Sequence, residues 1–75
     1  MLSLTTPSVK ASVALGLDVC LPDLLDFWFE LVNDGIYNDI AFSIVATDVS
    51  HSHDITMREA QIVTKFSLNK MGVTI

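Results

Sequence analysis

The segment His51-Ser52-His53-Asp54 contains residue types that commonly bind metal ions. Imidazole nitrogens and carboxylate oxygens are frequent ligands of zinc and related metals. In an extended backbone His51 and His53 point to the same side, and Asp54 or Asp48 would complete a ligand set. A histidine pair of this spacing also occurs in ordinary polar loops, and a loop in front of Thr56 is the simpler interpretation. A pH-sensitive patch is a third alternative.

Cys20, the single cysteine, lies two residues before Pro22, at the start of a predicted helix. A thiolate at a helix N-terminus is stabilised by the helix dipole and by free amides, so a thiol redox centre is one hypothesis. No second cysteine completes a C-x-x-C motif, and the carboxylate of Asp23 opposes thiolate formation. Packing at a strand–helix junction is therefore the preferred role of Cys20.

The segments that flank Cys20 follow two different periods. Apolar residues occupy every odd position of 9–21, which predicts a strand with a bulge or bend at Gly16. Residues 22–34 instead predict a helix, because Pro22 suits the first turn and Gly35 suits the position after the C-terminus. That helix would carry a wide apolar arc, in which Phe27, Trp28, Phe29 and Leu31 are candidate interface residues.

The opposite side of the predicted helix is acidic. Its carboxylates recur at spacings of three and four residues and form one stripe, which we name the acidic stripe: Asp23, Asp26, Glu30 and Asp34. These groups point outward from a regular helix and do not converge on one point, so a calcium site is disfavoured. A solvated face is the simplest interpretation, and a docking surface for a basic protein is the alternative.

The second half of the chain gives conflicting patterns. Residues 40–49 show both helical spacing and alternation, and their β-branched and aromatic content favours a strand. Thr56 and Glu59 have capping-box spacing, yet alternation over 61–69 favours another strand. The predicted order is β-α-β-β. The fold class is α+β, one domain over 1–75 with a helix packed on an antiparallel or mixed sheet, and a mostly α fold is the alternative.

The composition indicates self-association. Apolar residues make up 51% of only 75 residues, more than so small a domain can bury, and no uncharged run is long enough to span a membrane. A single cysteine and the absence of a signal peptide in residues 1–7 predict a cytoplasmic location.

Charge is unevenly distributed along the chain. Residues 1–57 hold eight acidic residues and one lysine, net −7, whereas residues 58–75 hold three basic residues and one glutamate, net +2. The acidic body disfavours nucleic acid as a partner. Simple solubility is the preferred interpretation of the basic tail, and docking on the acidic part of a neighbouring subunit is the alternative. We find no phosphate-binding loop, G-x-S-x-G motif or Ser/His/Asp set, and expect no cofactor.

The sequence therefore favours a non-enzymatic, self-associating protein-interaction module. A metal- or ligand-binding protein using His51 and His53, and a redox protein centred on Cys20, are the alternatives.

Overall fold

The structure, a computed structural model, describes residues 8–74. These residues form four α-helices. They are α1, Val9–Ala14; α2, Leu24–Asn33; α3, Asn38–His53; and α4, Met57–Lys70. This range contains no β-strand. The predicted α+β domain of order β-α-β-β is therefore wrong, and the mostly α alternative fits. The prediction about a signal peptide in residues 1–7 lies outside the described residues.

The predicted strand over 9–21 is instead a short helix followed by an irregular segment. The Ser8 hydroxyl accepts a hydrogen bond from the N–H of Ala11 at 3.1 Å and caps α1. Gly16 then ends the helix with φ +74°, a left-handed conformation that glycine adopts without steric cost. Val9 and Val13, four residues apart, both pack against the core, so the apolar residues of this segment also fit a helix.

Helix α2 forms where the sequence predicts it. The N–H groups of Gly35 and Ile36 donate to the carbonyls of Val32 and Leu31 at 3.0 and 3.1 Å. These two bonds form a Schellman motif, with Gly35 at φ +92° in the predicted position. Leu24 and Trp28 are buried on the inner side of α2, and Trp28 is only 2% exposed.

Helix α3 replaces the predicted strand over 40–49. Its buried residues recur at helical spacing: Ala41, Val45, Ala46 and Val49. The β-branched content favoured a strand, but α3 packs against both α2 and α4, and this tertiary burial outweighs the local preference. The helix ends at Asp54, which adopts the left-handed conformation with φ 54°.

Helix α4 replaces the predicted strand over 61–69, and the capping box decides its start. The Thr56 hydroxyl accepts from the Glu59 N–H at 3.1 Å, and the Thr56 N–H donates to the Glu59 carboxylate at 2.9 Å. The buried residues of α4 recur at helical spacing and form its inner face: Ala60, Val63, Thr64, Ser67 and Leu68. Because these five residues are buried on one side, Ile62 lies on the opposite side of α4 and is exposed.

A buried hydroxyl joins α4 to the segment in front of α2. The Ser67 hydroxyl donates to the Val63 carbonyl at 2.7 Å and accepts from the Leu21 N–H at 2.8 Å. This contact fixes the irregular segment over the bundle, where Val19 and Leu21 pack against the core. None of the helices in residues 8–74 is both long enough and apolar enough to cross a bilayer.

Candidate interaction surface

The outer face of α4 combines exposed apolar and basic side chains. Arg58, Ile62 and Lys65 lie at positions i, i+4 and i+7 and therefore share one side of the helix. All three are exposed, and Ile62 exposes 62% of its surface. The buried side of α4 faces away from them, so this arrangement follows directly from the burial of the opposite face.

Ile62 forms a ridge between two grooves. One groove, of about 210 Å³, lies between α4 and the α1 region and includes Leu17 and Phe66 among its lining residues. The other, a shallow depression of about 350 Å³, lies between α3 and α4 and includes Phe42. The grooves meet at Ile62 and form one continuous area, which we name the α4 surface: Leu17, Phe42, Arg58, Ile62, Lys65 and Phe66.

The charges on the α4 surface take part in no ion pair within residues 8–74. The one ion pair among residues 8–74 joins Lys10 to Asp54 at 3.1 Å, so Arg58 and Lys65 take part in none. Asp18 lines the groove next to α1, on the other side of Ile62 from the depression that Arg58 and Lys65 border. The α4 surface therefore offers an apolar ridge with two free cations beside it.

The acidic stripe lies on the solvent side of α2. Its four carboxylates are exposed, and they too take part in no ion pair within the part of the chain that the structure describes. Asp23 and Asp34, the residues that flank α2, both have right-handed helical φ and ψ, so the stripe continues without a break. Phe29, three residues after Asp26, is 48% exposed and borders the stripe.

The four predicted interface residues of α2 do not lie on one surface. Trp28 belongs to the core, whereas Phe27 and Leu31 are partly buried and pack against it. Phe29 is the one member of this set with a large exposed fraction. The bundle itself covers most of the wide apolar arc of α2, which leaves Phe29 available for a partner.

The HSHD segment is helical up to His53, and its geometry differs from the extended one that the metal hypothesis assumes. On an α-helix, side chains two residues apart diverge, so His51 and His53 lie on different sides. Asp54 is paired with Lys10, and Asp48 lies one turn back along α3. Residues 8–74 contain no group of three or more His, Cys, Asp or Glu side chains placed to hold a metal ion.

His53 lines a separate open cleft between α2 and α3. The cleft has a volume of about 350 Å³ and mixes apolar with polar residues: Leu21, Asp23, Leu24, Phe27, Asp48, Val49, Ser52 and His53. Within residues 8–74 no hydrogen bond or ion pair joins the His53 imidazole to the carboxylate of Asp23 or Asp48.

Cys20 is half-buried in the irregular segment before α2. Helix α2 begins at Leu24, four residues further on, and Pro22 lies between them. The structure thus places the thiol at the junction that the sequence predicts, although the segment before it is not a strand. The redox hypothesis stays a prediction.

No protein-family model matches the chain, and comparisons with curated proteins and with solved structures gave no significant match. The surface of the chain itself is therefore the guide to its function. The sequence patterns do not reveal the α4 surface, because the alternation over 61–69 predicts a strand that contains Ile62 and Phe66. The signal that would have found it was the capping box, since a helix from Met57 places Arg58, Ile62 and Lys65 together.

Proposed function

We propose that the chain is a non-enzymatic protein-interaction or assembly module of the cytoplasm, which acts by binding a protein partner and associates with itself. The observation that carries this proposal is the α4 surface, an exposed apolar ridge between two grooves. Exposed apolar area of this kind is typical of protein–protein contact sites, particularly where charged groups border it.

The small core supports the same proposal. Among residues 8–74, three of the ten buried apolar residues are alanines, namely Ala41, Ala46 and Ala60. Larger apolar side chains stay outside, among them Leu17 at 54% and Ile62 at 62% exposure. Burying such side chains against another chain stabilises the complex by about 25 cal/mol per Å² of apolar area. The isolated fold lacks this stabilisation.

Light scattering coupled to size-exclusion chromatography tests self-association. We expect Ile62→Thr to weaken it, because this change removes apolar area from the ridge and keeps β-branching at an exposed helical position. Ile40→Thr is the matched control, since Ile40 is also an exposed isoleucine on a helix but does not line either groove. Equal effects of the two substitutions would contradict a role for the α4 surface.

A further inference from the structure

The α4 surface and the acidic stripe are complementary in charge. The surface carries the cations Arg58 and Lys65, and the stripe carries four carboxylates on the outer side of α2. None of these six groups is paired within residues 8–74. A second copy of the chain would supply the missing partner for both faces at once.

The spacings of the two charge sets also agree. Arg58 and Lys65 are seven residues apart, and so are Asp23 and Glu30. Seven residues of helix rise by about 10 Å, so both cations can meet a carboxylate when the two helices lie side by side.

Each face also carries an exposed apolar side chain next to its charges. Ile62 lies between the two cations of α4, and Phe29 borders the acidic stripe of α2. Charge pairs at an interface set orientation and partner choice, while the desolvated apolar contacts supply most of the affinity. The two faces thus have the parts that such an interface needs.

From these observations we infer that the α4 surface binds the acidic stripe of a second copy of this chain. The contact pairs Arg58 and Lys65 of one copy with carboxylates of α2 in the other, and it buries Ile62 beside Phe29. This inference rests on the proposed self-association and names the two faces that carry it. The faces belong to different helices, so each copy presents one acidic and one basic contact face.

Charge reversal followed by mixing tests this pairing. The variant R58E/K65E makes the α4 surface acidic, and the variant D23K/E30K places lysines at the two stripe positions whose spacing matches Arg58 and Lys65. Each variant alone should self-associate about tenfold or more weakly than the wild type, because attraction at these positions becomes repulsion. An equimolar mixture should regain association, since the glutamates of one variant then face the lysines of the other. Trp28 fluorescence and circular dichroism check that the exposed substitutions leave the fold intact.

The controls separate this pairing from general charge effects. Lys70→Glu and Asp39→Lys change exposed charges outside both faces, and should leave the wild-type mass unchanged. Association that survives both double variants, or a mixture that stays dissociated, would overturn the pairing and leave the proposed self-association standing. A wild-type chain that is monomeric throughout would overturn both. If the mixture recovers the wild-type mass and each variant by itself does not, the result would support pairing between two copies of this chain over binding to an unrelated acidic protein.

Discussion

Replacing Ser67 with alanine removes a hydroxyl that joins α4 to the segment before α2. The Ser67 side chain is fully buried, donates to the Val63 carbonyl at 2.7 Å and accepts from the Leu21 N–H at 2.8 Å. Ser67→Ala leaves the Leu21 N–H without this acceptor. We expect the domain to be less stable because the segment that carries Val19 and Leu21 loses its polar attachment to the bundle.

The size of the loss follows from burial. An unsatisfied buried polar group costs about 1–3 kcal/mol, and Leu21 is only half-buried, so the lower part of this range applies. Alanine regains a few tenths of a kcal/mol, roughly, through its better helix propensity. The net loss is about 1 kcal/mol, which lowers the Tm of a domain of this size by about 4–8 °C.

Thr64 provides the matched control, because it is the other fully buried hydroxyl on α4. Its Oγ1 has no hydrogen-bond partner among the described residues. Thr64→Val keeps the shape of the side chain and removes a polar atom that is buried without a partner. We expect the free energy of unfolding to stay level or rise by up to about 1 kcal/mol.

Urea denaturation monitored by Trp28 fluorescence measures both variants, since Trp28 is the only tryptophan and is 2% exposed. All chains are compared at one protein concentration, because self-association adds concentration-dependent stability. If Ser67→Ala is as stable as the wild type, the assignment of the stabilising hydrogen bond to Ser67 is refuted. A loss of stability in Thr64→Val equal to that in Ser67→Ala would refute it as well.

Three further predictions concern the ends of α3 and α4. Thr56→Ala removes one half of the capping box and should cost about 0.5–2 kcal/mol in urea denaturation, and an unchanged midpoint would contradict the cap. Asp54→Asn keeps a residue that tolerates φ 54° and removes the exposed ion pair with Lys10, so the loss should stay below about 1 kcal/mol and vanish in 1 M salt. A loss that persists in high salt would contradict this origin. Zinc should raise the Tm of the wild type no more than that of H51A/H53A, because the helix separates the two imidazoles. A zinc-dependent rise specific to the wild type would support the metal hypothesis.

The local signals with a clear physical basis predicted part of the fold. Helix α2 forms as expected because Gly35 marks its end and its apolar residues follow one helical side. The capping box of Thr56 and Glu59 likewise marks the start of α4. Both signals act within a few residues, so they do not depend on how distant parts of the chain pack.

The strand predictions are wrong because apolar residues at every second position do not exclude a helix, and the buried residues of α4 recur at helical spacing within the alternating segment. Gly16 and Gly72, like Gly35, end helices with positive φ, so all three glycines of the chain mark helix ends. Taken together, these positions favour helices over the strands predicted at 9–21 and 61–69. The α3 segment was ambiguous in sequence, and its burial between α2 and α4 decides it.

The α4 surface follows from the sequence only in part. A helix that starts at the capping box places Arg58, Ile62 and Lys65 together, but the grooves arise where Leu17 and Phe42, from distant segments, come to lie on either side of Ile62. Packing of three separate elements creates them, and no local pattern encodes that. The acidic stripe depends on one helix alone, so its outward position follows from residue spacing.

The solution mass of the chain tests self-association most directly. The monomer has a mass of 8.2 kDa. Light scattering at tens of micromolar should give at least twice this mass for the wild type, and a lower mass for Ile62→Thr. A mass of 8.2 kDa over the whole concentration range would contradict the proposed function.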